Sequence, residues 1–346
     1  MHKKIIVLLS CLLFYTSTFG CDLCSIYISL DPNGSKNSFG VRYRYRIFEK
    51  DYYKESFYMI NNPNSQKSKI NNKHGGSTEQ TIKTTEKFTF TEIYNSYDVF
   101  ANFYLNPRLQ LNLSTYFSDN YILNNDSTTT NVAGIGDVSV ILKYKLFNTK
   151  KCSVDSLKNK FIHRFTIGGG IDIPTGNYNK STVTDFETEF KPNVILGTPI
   201  EELDPHMQAG TGSFNYLFLI EYMTKFNSFG INTNVSYKVN ATNNNKFRFA
   251  NRFNANGTLF FITKLSSKIK AMPFIGSSYE TSKRDSQNDI NVLGSGGKVL
   301  FLNGGINFFI NKLSIEFSYY SPIYEDLLDD QAFNKKRMIT QLAYYF

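Results

Sequence analysis

Residues 338–346 read MITQLAYYF, and how this stretch is read decides the fold. Taken backwards from Phe346, every second residue is large or apolar: Phe346, Tyr344 and Leu342, then Thr340 and Met338. A strand sends alternate side chains to opposite faces, so the stretch is a ribbon with one greasy side. Such a ribbon with an unpaired edge invites aggregation. Both the edge and the apolar side have to be covered.

The same alternation recurs along the chain. It is found in VRYRYRI (41–47), LQLNLS (109–114), VSVILKYKL (138–146), FNYLFLIEY (214–222), INTNVSYKVN (231–240), FRFANRF (247–253) and LSIEFSY (313–319). Each has the period-2 pattern of a strand with one apolar and one polar face, and no long segment repeats at helical spacing. The strand signals predict about twelve strands, near 38–49, 86–105, 107–119, 134–148, 160–173, 212–226, 228–240, 246–263, 267–281, 297–310, 312–321 and 335–346. The predicted links at one rim are mostly tight: 106–107, 227, 264–266 and 311. Those at the other are long: 50–85, 120–133, 174–211, 282–296 and 322–334. Two links depart from the rule, a short one at 241–245 and a long one at 149–159.

This asymmetry predicts a transmembrane antiparallel up-and-down β-barrel over residues 38–346. A β-sandwich also alternates, but its strands cluster near five or six residues, whereas a tilted membrane-spanning strand requires about nine to eleven. Aromatic residues make up 16% of the chain, with 31 Phe and 23 Tyr, against 19% charged residues and no Trp. Tyr and Phe would then form the interfacial girdles. The ribbon 338–346 would turn its apolar side to lipid and pair its edge with the first strand. Phe346, Tyr344 and Leu342 also resemble the terminal assembly signal that the barrel assembly machinery recognises.

The start of the chain fits export. Met1-His-Lys-Lys is a basic lead, residues 5–14 form an apolar run of about ten, and Thr18 and Gly20 place small residues before Cys21. That is the order of a signal peptide over 1–20, followed by a segment at 21–37 holding a Cys-x-x-Cys pair. Acylation of Cys21 is the alternative. Of the cysteines left after cleavage, Cys24 and Cys152 are candidates for a disulfide tethering this segment to the 149–159 link. Tetrahedral zinc would require more ligands than the few histidines supply there, and neither metal nor cofactor is expected.

The polar faces supply the candidate pore lining: Arg42, Arg44, Arg46, Lys143, Lys145, Arg164, Lys238, Arg248 and Arg252, with Glu221 and Glu316 among fewer acids. A wall carrying mainly one sign of charge concentrates the opposite ion, which predicts a mild preference for anionic or polar solutes in an open lumen. In a plugged lumen the same charges would pair across the interior. A phospholipase-like barrel would require a serine within reach of a histidine. His163, the strand histidine, has lipid-facing parity and no serine on its face, so an enzyme is not expected. A surface adhesin would use loops 50–85 and 174–211. Lipid and a small solute are the expected partners, not nucleic acid.

Several motifs in order resemble a family. GIGDVSVILKYKL (134–146), GGGIDIPTG (168–176), QAGTGSF (208–214), GSGGKVLFLNGG (294–305), YSPIY (320–324) and Gln331 are similar to segments of the phenol meta-pathway-type outer-membrane transporters. Cys21 and Cys24 followed by an Arg-Tyr-Arg strand resemble Bacteroidetes-type relatives. The resemblance spans roughly 134–346 and implies a barrel that acts as a passive channel for small solutes.

Overall fold

The computed structural model describes residues 36–60, 80–125, 127–149, 161–178 and 204–346. The expected signal peptide, the cysteines Cys21, Cys24 and Cys152, and most of loop 174–211 lie outside these residues.

Twelve wall strands form one closed antiparallel barrel. They are β1 (Ser38–Ile60), β2 (Gln80–Tyr104), β3 (Leu109–Asn124), β4 in two segments (Ser127–Ile135 and Val138–Asn148), β5 (Phe161–Ile173), β6 (Asn215–Phe226), β7 (Phe229–Asn240), β8 (Arg252–Phe261), β9 (Ile269–Ser282), β10 (Gly297–Ile310), β11 (Leu313–Leu327) and β12 (Phe333–Tyr345). Each strand pairs with its sequence neighbour. The seam joins β1 to β12, from Ser38 opposite Tyr345 to Arg46 opposite Arg337. The edge of MITQLAYYF is therefore covered by β1. Phe39 crosses the seam to meet the rings of Tyr344 and Phe346, at 5.6 and 6.3 Å.

Alternation decides which side faces out. On β7 Ile231, Val235 and Tyr237 are exposed, while Asn232, Ser236, Lys238 and Asn240 are buried. On β12 Met338 and Leu342 are exposed, and Ile339, Gln341 and Ala343 are buried. Val235 at 38% exposure beside Lys238 at 8% excludes a sandwich, whose apolar side would be the buried one. The surface is oily and the inside is polar.

The rim carrying Ser38 and Tyr345 has the tight turns. Asn227 and Asn311 sit at φ 51° and 54°, a region Asn tolerates well. The Asn106 side chain accepts the N–H groups of Arg108 and Leu109, both at 2.8 Å. At the opposite, loop rim several boundaries differ from expectation, among them the end of β11, which runs on to Leu327. β1 and β2 continue as a two-stranded ribbon, 50–60 against 80–90, beyond the last pairing of β1 with β12 at Glu49. The expected loop 120–133 is instead a hairpin turning near Asn125, because the threonine-rich stretch from Ser127 pairs with β3 despite weak apolar alternation. Finally, the chain leaves the wall at 249–251, so Phe247–Arg248 belongs to a small three-stranded sheet with Ser286–Gln287 and Ile290–Asn291.

The interior is partly packed. Met223, Phe260 and Met272 form one buried apolar cluster near the terminal rim. Val299, Phe301, Tyr320 and Ile339 form another nearer the loops.

Candidate lumen and its constriction

Parity along each strand places the predicted charges. Arg42, Arg44 and Arg46 alternate on β1 and point inward, each over an aromatic ring: Phe100 at 5.1 Å, Tyr116 at 5.6 Å and Tyr94 at 5.0 Å. Arg42 and Arg44 share Asp98, at 3.3 and 2.8 Å, and Arg42 Nε also donates to Gln341 at 3.0 Å. Arg164 pairs with Glu221 at 2.9 Å, and Lys238 with Asp172 at 2.6 Å. Lys143 and Lys145 are buried on the inner side of β4, and Lys145 Nζ lies 4.2 Å from the Tyr104 ring centre. Arg252 is buried at the start of β8, over Phe249 at 5.7 Å. Glu316 is buried and accepts from Asn307 at 3.2 Å. Arg248 departs from this set: it sits in the small loop sheet and is exposed, because the wall strand begins only at Arg252. His163 faces outward near the terminal rim, with Nδ1 2.8 Å from the Tyr222 hydroxyl.

Alternation cannot reveal what crosses the bore. After Asp204 the chain makes a short 3₁₀ turn, Pro205–Met207, with the Asp204 carboxylate accepting the His206 N–H at 2.9 Å. Met207 is fully buried against Phe48 of β1, Tyr94 of β2 and Ala332. Inward-pointing side chains of β3 hold the next carbonyls: Asn120 donates to Met207 O at 2.9 Å and Tyr116 to Ala209 O at 2.5 Å. Segment 204–213 therefore folds into the barrel near the loop rim and narrows it.

A clamp fixes this segment, and it is built from the three glycine motifs. Asp137 Oδ1 accepts the Gly176 N–H at 3.0 Å; its Oδ2 accepts the Thr211 N–H at 2.9 Å and hydroxyl at 2.6 Å. Three donors on one ionised carboxylate are strong, charge-assisted bonds. Gly176 and Gly210 are required because the backbones touch: a Cβ on Gly176 would lie 2.7 Å from Gly136 C, and one on Gly210 2.7 Å from Gly176 C. GIGD, PTG and QAGTG thus meet at one point.

A second anchor is the His206–Asp285 pair, with Nε2 and Oδ2 2.7 Å apart. Burial opposes a charged ring, but the Asp285 carboxylate outweighs it and raises the His206 pKa to about 9. Burial would likewise raise Asp285, but the imidazolium, together with Arg252 and the Ala250 N–H, holds it below the ordinary carboxylate value. His206 Nδ1 has no hydrogen-bond partner among the described residues. Gln331 locks the neighbouring loops by donating to Gly296 O at 2.8 Å and to Leu328 O.

Two cavities border this interior among the described residues. One of about 120 Å³ opens at the terminal rim, lined by β1–β6 and β12. The other, about 60 Å³, lies beside segment 204–213, lined by Tyr116, His206, Lys238, Arg252 and neighbours. Asp98, Asp137, Glu280, Asp285 and Arg337 escaped the reading of the sequence. Asp98 and the Glu280–Arg337 pair, joined at 2.8 and 3.4 Å, have inward parity and could have been found by it. The His206–Asp285 pair spans 79 positions between loops and has no such signal.

No protein-family model and no curated protein matches the chain. Among solved structures, an outer membrane channel from Pseudomonas putida F1 is similar at a TM-score of 0.52 and 12% identity, over 92% of this chain and all of that one. The β domain of the Bordetella autotransporter BrkA aligns at a TM-score of 0.44 and 9% identity, over 90% of this chain and 100% of that one. LpxR from Salmonella typhimurium aligns at 0.34 and 7%, over 74% and 88%. The first likeness shows a shared fold, that of an outer-membrane-type β-barrel.

Proposed function

We infer that the chain is an outer-membrane channel through which small polar solutes pass passively, with a mild preference for anions. One observation carries this reading: an oily outer wall encloses charged side chains and a solvent cavity, the arrangement of a conduit through lipid. A closed wall satisfies all its backbone hydrogen bonds within hydrocarbon. Among the described residues the buried Lys and Arg side chains outnumber the buried Asp and Glu, and in a low-dielectric bore such an excess draws anions. On this reading the rim with Ser38 and Tyr345 faces the periplasm, and the 338–346 ribbon is what the assembly machinery recognises. The meeting of GIGD, PTG and QAGTG supports kinship with the phenol meta-pathway-type transporters, since motifs that share one physical task belong together.

Liposomes containing the full chain should swell in isotonic small sugars, and the reversal potential in a salt gradient should carry the sign of anion preference. Failure to swell with any solute, or release of fatty acid from phospholipid, would overturn the channel reading.

A further inference from the structure

The outer wall is not smooth at the terminal rim. A groove of about 650 Å³ runs over its lipid-facing side between the β6–β7 and β8–β9 hairpins, within the range of about 300–1,000 Å³ usual for ligand sites. Two aromatic pairs stand at its rim end: Phe161 against Phe226, with ring centres 4.5 Å apart, and Phe229 against Phe261, at 4.7 Å. Leu259 and Ile275 lie further from the rim and are exposed along it. Pro273 explains the opening. Proline has no N–H to give to a ladder, and the pairing of β8 with β9 stops at Phe260 opposite Phe274, to resume only at Thr263 opposite Ala271. The Ile262 N–H turns instead to Ser228 O of the neighbouring turn, at 2.8 Å.

Charge at this rim has one sign. Among the described residues its turns, 105–108, 226–229, 262–268 and 311–312, hold Arg108, Lys264, Lys268 and Lys312 and no acid, and all four cations are exposed. The loop rim mixes signs: Lys298 pairs with Asp326 at 2.9 Å, Arg284 with Asp329 at 2.7 Å and Lys335 with Glu49 at 3.6 Å. Lys264 and Lys268 belong to the turn that continues from Phe261. Cations therefore border the groove where the wall leaves hydrocarbon, and lysine stems are long enough to carry their charge to a headgroup there.

We propose that the groove and this turn together hold one anionic phospholipid, its acyl chain along Phe229, Leu259 and Ile275 and its phosphate at Lys264 and Lys268. Hydrocarbon meets this face in a bilayer, and charge decides which lipid stays. A zwitterionic lipid would bring its own cation to a rim whose described turns offer no acid. A second copy of the chain, docked groove to groove, would set the same lysines against each other, and like charges brought together are costly. The site uses only the lipid-facing wall, so it goes beyond the channel reading and stands whether or not the bore conducts.

Native mass spectrometry of the detergent-purified full chain, offered equal amounts of phosphatidylglycerol and phosphatidylcholine with the same acyl chains, tests the site. One phosphatidylglycerol should be retained, favoured over phosphatidylcholine by on the order of tenfold. Replacing Lys264→Gln and Lys268→Gln together should abolish that preference. Leu259→Trp, which puts an indole into the groove, should reduce retention of both lipids. Lys283→Gln with Lys336→Gln, which removes exposed lysines from the loop rim, controls for net charge and should leave the preference intact. Inorganic phosphate should not displace the lipid, because it offers nothing to the groove. Heat-modifiable migration on gels reports that each variant has folded. Equal retention of the two lipids, an unaltered preference in the Lys264/Lys268 double variant, unaltered retention in Leu259→Trp, displacement by phosphate, or a dimer without lipid would overturn the proposal. Liposome swelling, which judges the channel, should not change in any of these variants, so the two readings fail separately.

Discussion

The two halves of the bore are built differently. At the terminal rim, among the described residues, the wall strands line a cavity of about 120 Å³ with their own alternating side chains. At the loop rim the space is filled by chain that belongs to no wall strand: segment 204–213, clamped by Asp137 and by the His206–Asp285 pair. The period-2 code makes a cylinder, whereas what lies across its loop end is set by contacts between residues far apart in sequence. A barrel of this kind is a generic wall with a specific stopper.

The largest break in that contrast should come from Asp137→Ala. It removes the acceptor of three hydrogen bonds at once, each worth about 1.5–3 kcal/mol when one partner is charged. Segment 204–213 should come loose, raising single-channel conductance and widening the size cut-off in liposome swelling. The wall should stay intact, so heat-modifiable migration should persist. Unchanged conductance would mean that the clamp does not hold the stopper.

Next in size is Glu280→Ala. Arg337 is 3% exposed and also lies over Phe301 at 4.2 Å, so removing its carboxylate leaves a buried guanidinium less compensated. The cost expected for breaking such a pair is about 3–5 kcal/mol. Replacing both residues, as Glu280→Met with Arg337→Met, should restore most of it. Urea unfolding in phospholipid vesicles measures both.

Val235→Arg probes the wall rather than the stopper. A charge near the middle of the outward band should cost about 2–4 kcal/mol in the same assay. Lys238→Gln, three positions along but inward, should change ion selectivity, and because it breaks the ion pair with Asp172 its stability cost should be largely recovered by adding Asp172→Asn.

The smallest effect should be a pH step. His206 has a pKa raised to about 9 from 6.5, so the stability it contributes is fully present below pH 6.5 and fades as pH rises through 9. Asp285 is lowered, so its contribution is present above its ordinary value near 3.8 and is lost in stronger acid. Between these limits the pair pins the segment. Conductance should rise modestly above pH 9, and His206→Asn should abolish the step. A parent channel with flat conductance from pH 7 to 10 would remove the dyad from the gating account.

Much of the wall could be read from the residues, because one rule, alternation, acts locally. Val235 outward and Lys238 inward follow from parity alone, and the turns at Asn227 and Asn311 follow from Asn accepting positive φ. Where alternation weakens, the reading weakens. STTTNVAGI in β4 has few large apolar residues, so the hairpin looked like a loop. FRFANRF alternates well, yet its first two residues belong to a loop sheet, which misplaced Arg248. The stopper was legible only as motifs without a task. GIGD and QAGTG lie 74 positions apart at Asp137 and Thr211, and no local pattern says that they touch.

The seam carries a consequence for how the molecule is made. Arg42 and Gln341, joined across β1 and β12, are 299 positions apart. For a flexible chain, closing a loop of that length costs about 5 kcal/mol beyond a constant, a term that short hairpins such as β6–β7 largely escape. Hairpins can therefore form early, but the cylinder cannot shut before its final stave is in hand. Until then two naked strand borders wait at once, so circularisation works as a checkpoint: a polypeptide lacking β12 would be left as an open sheet with two unpaired edges.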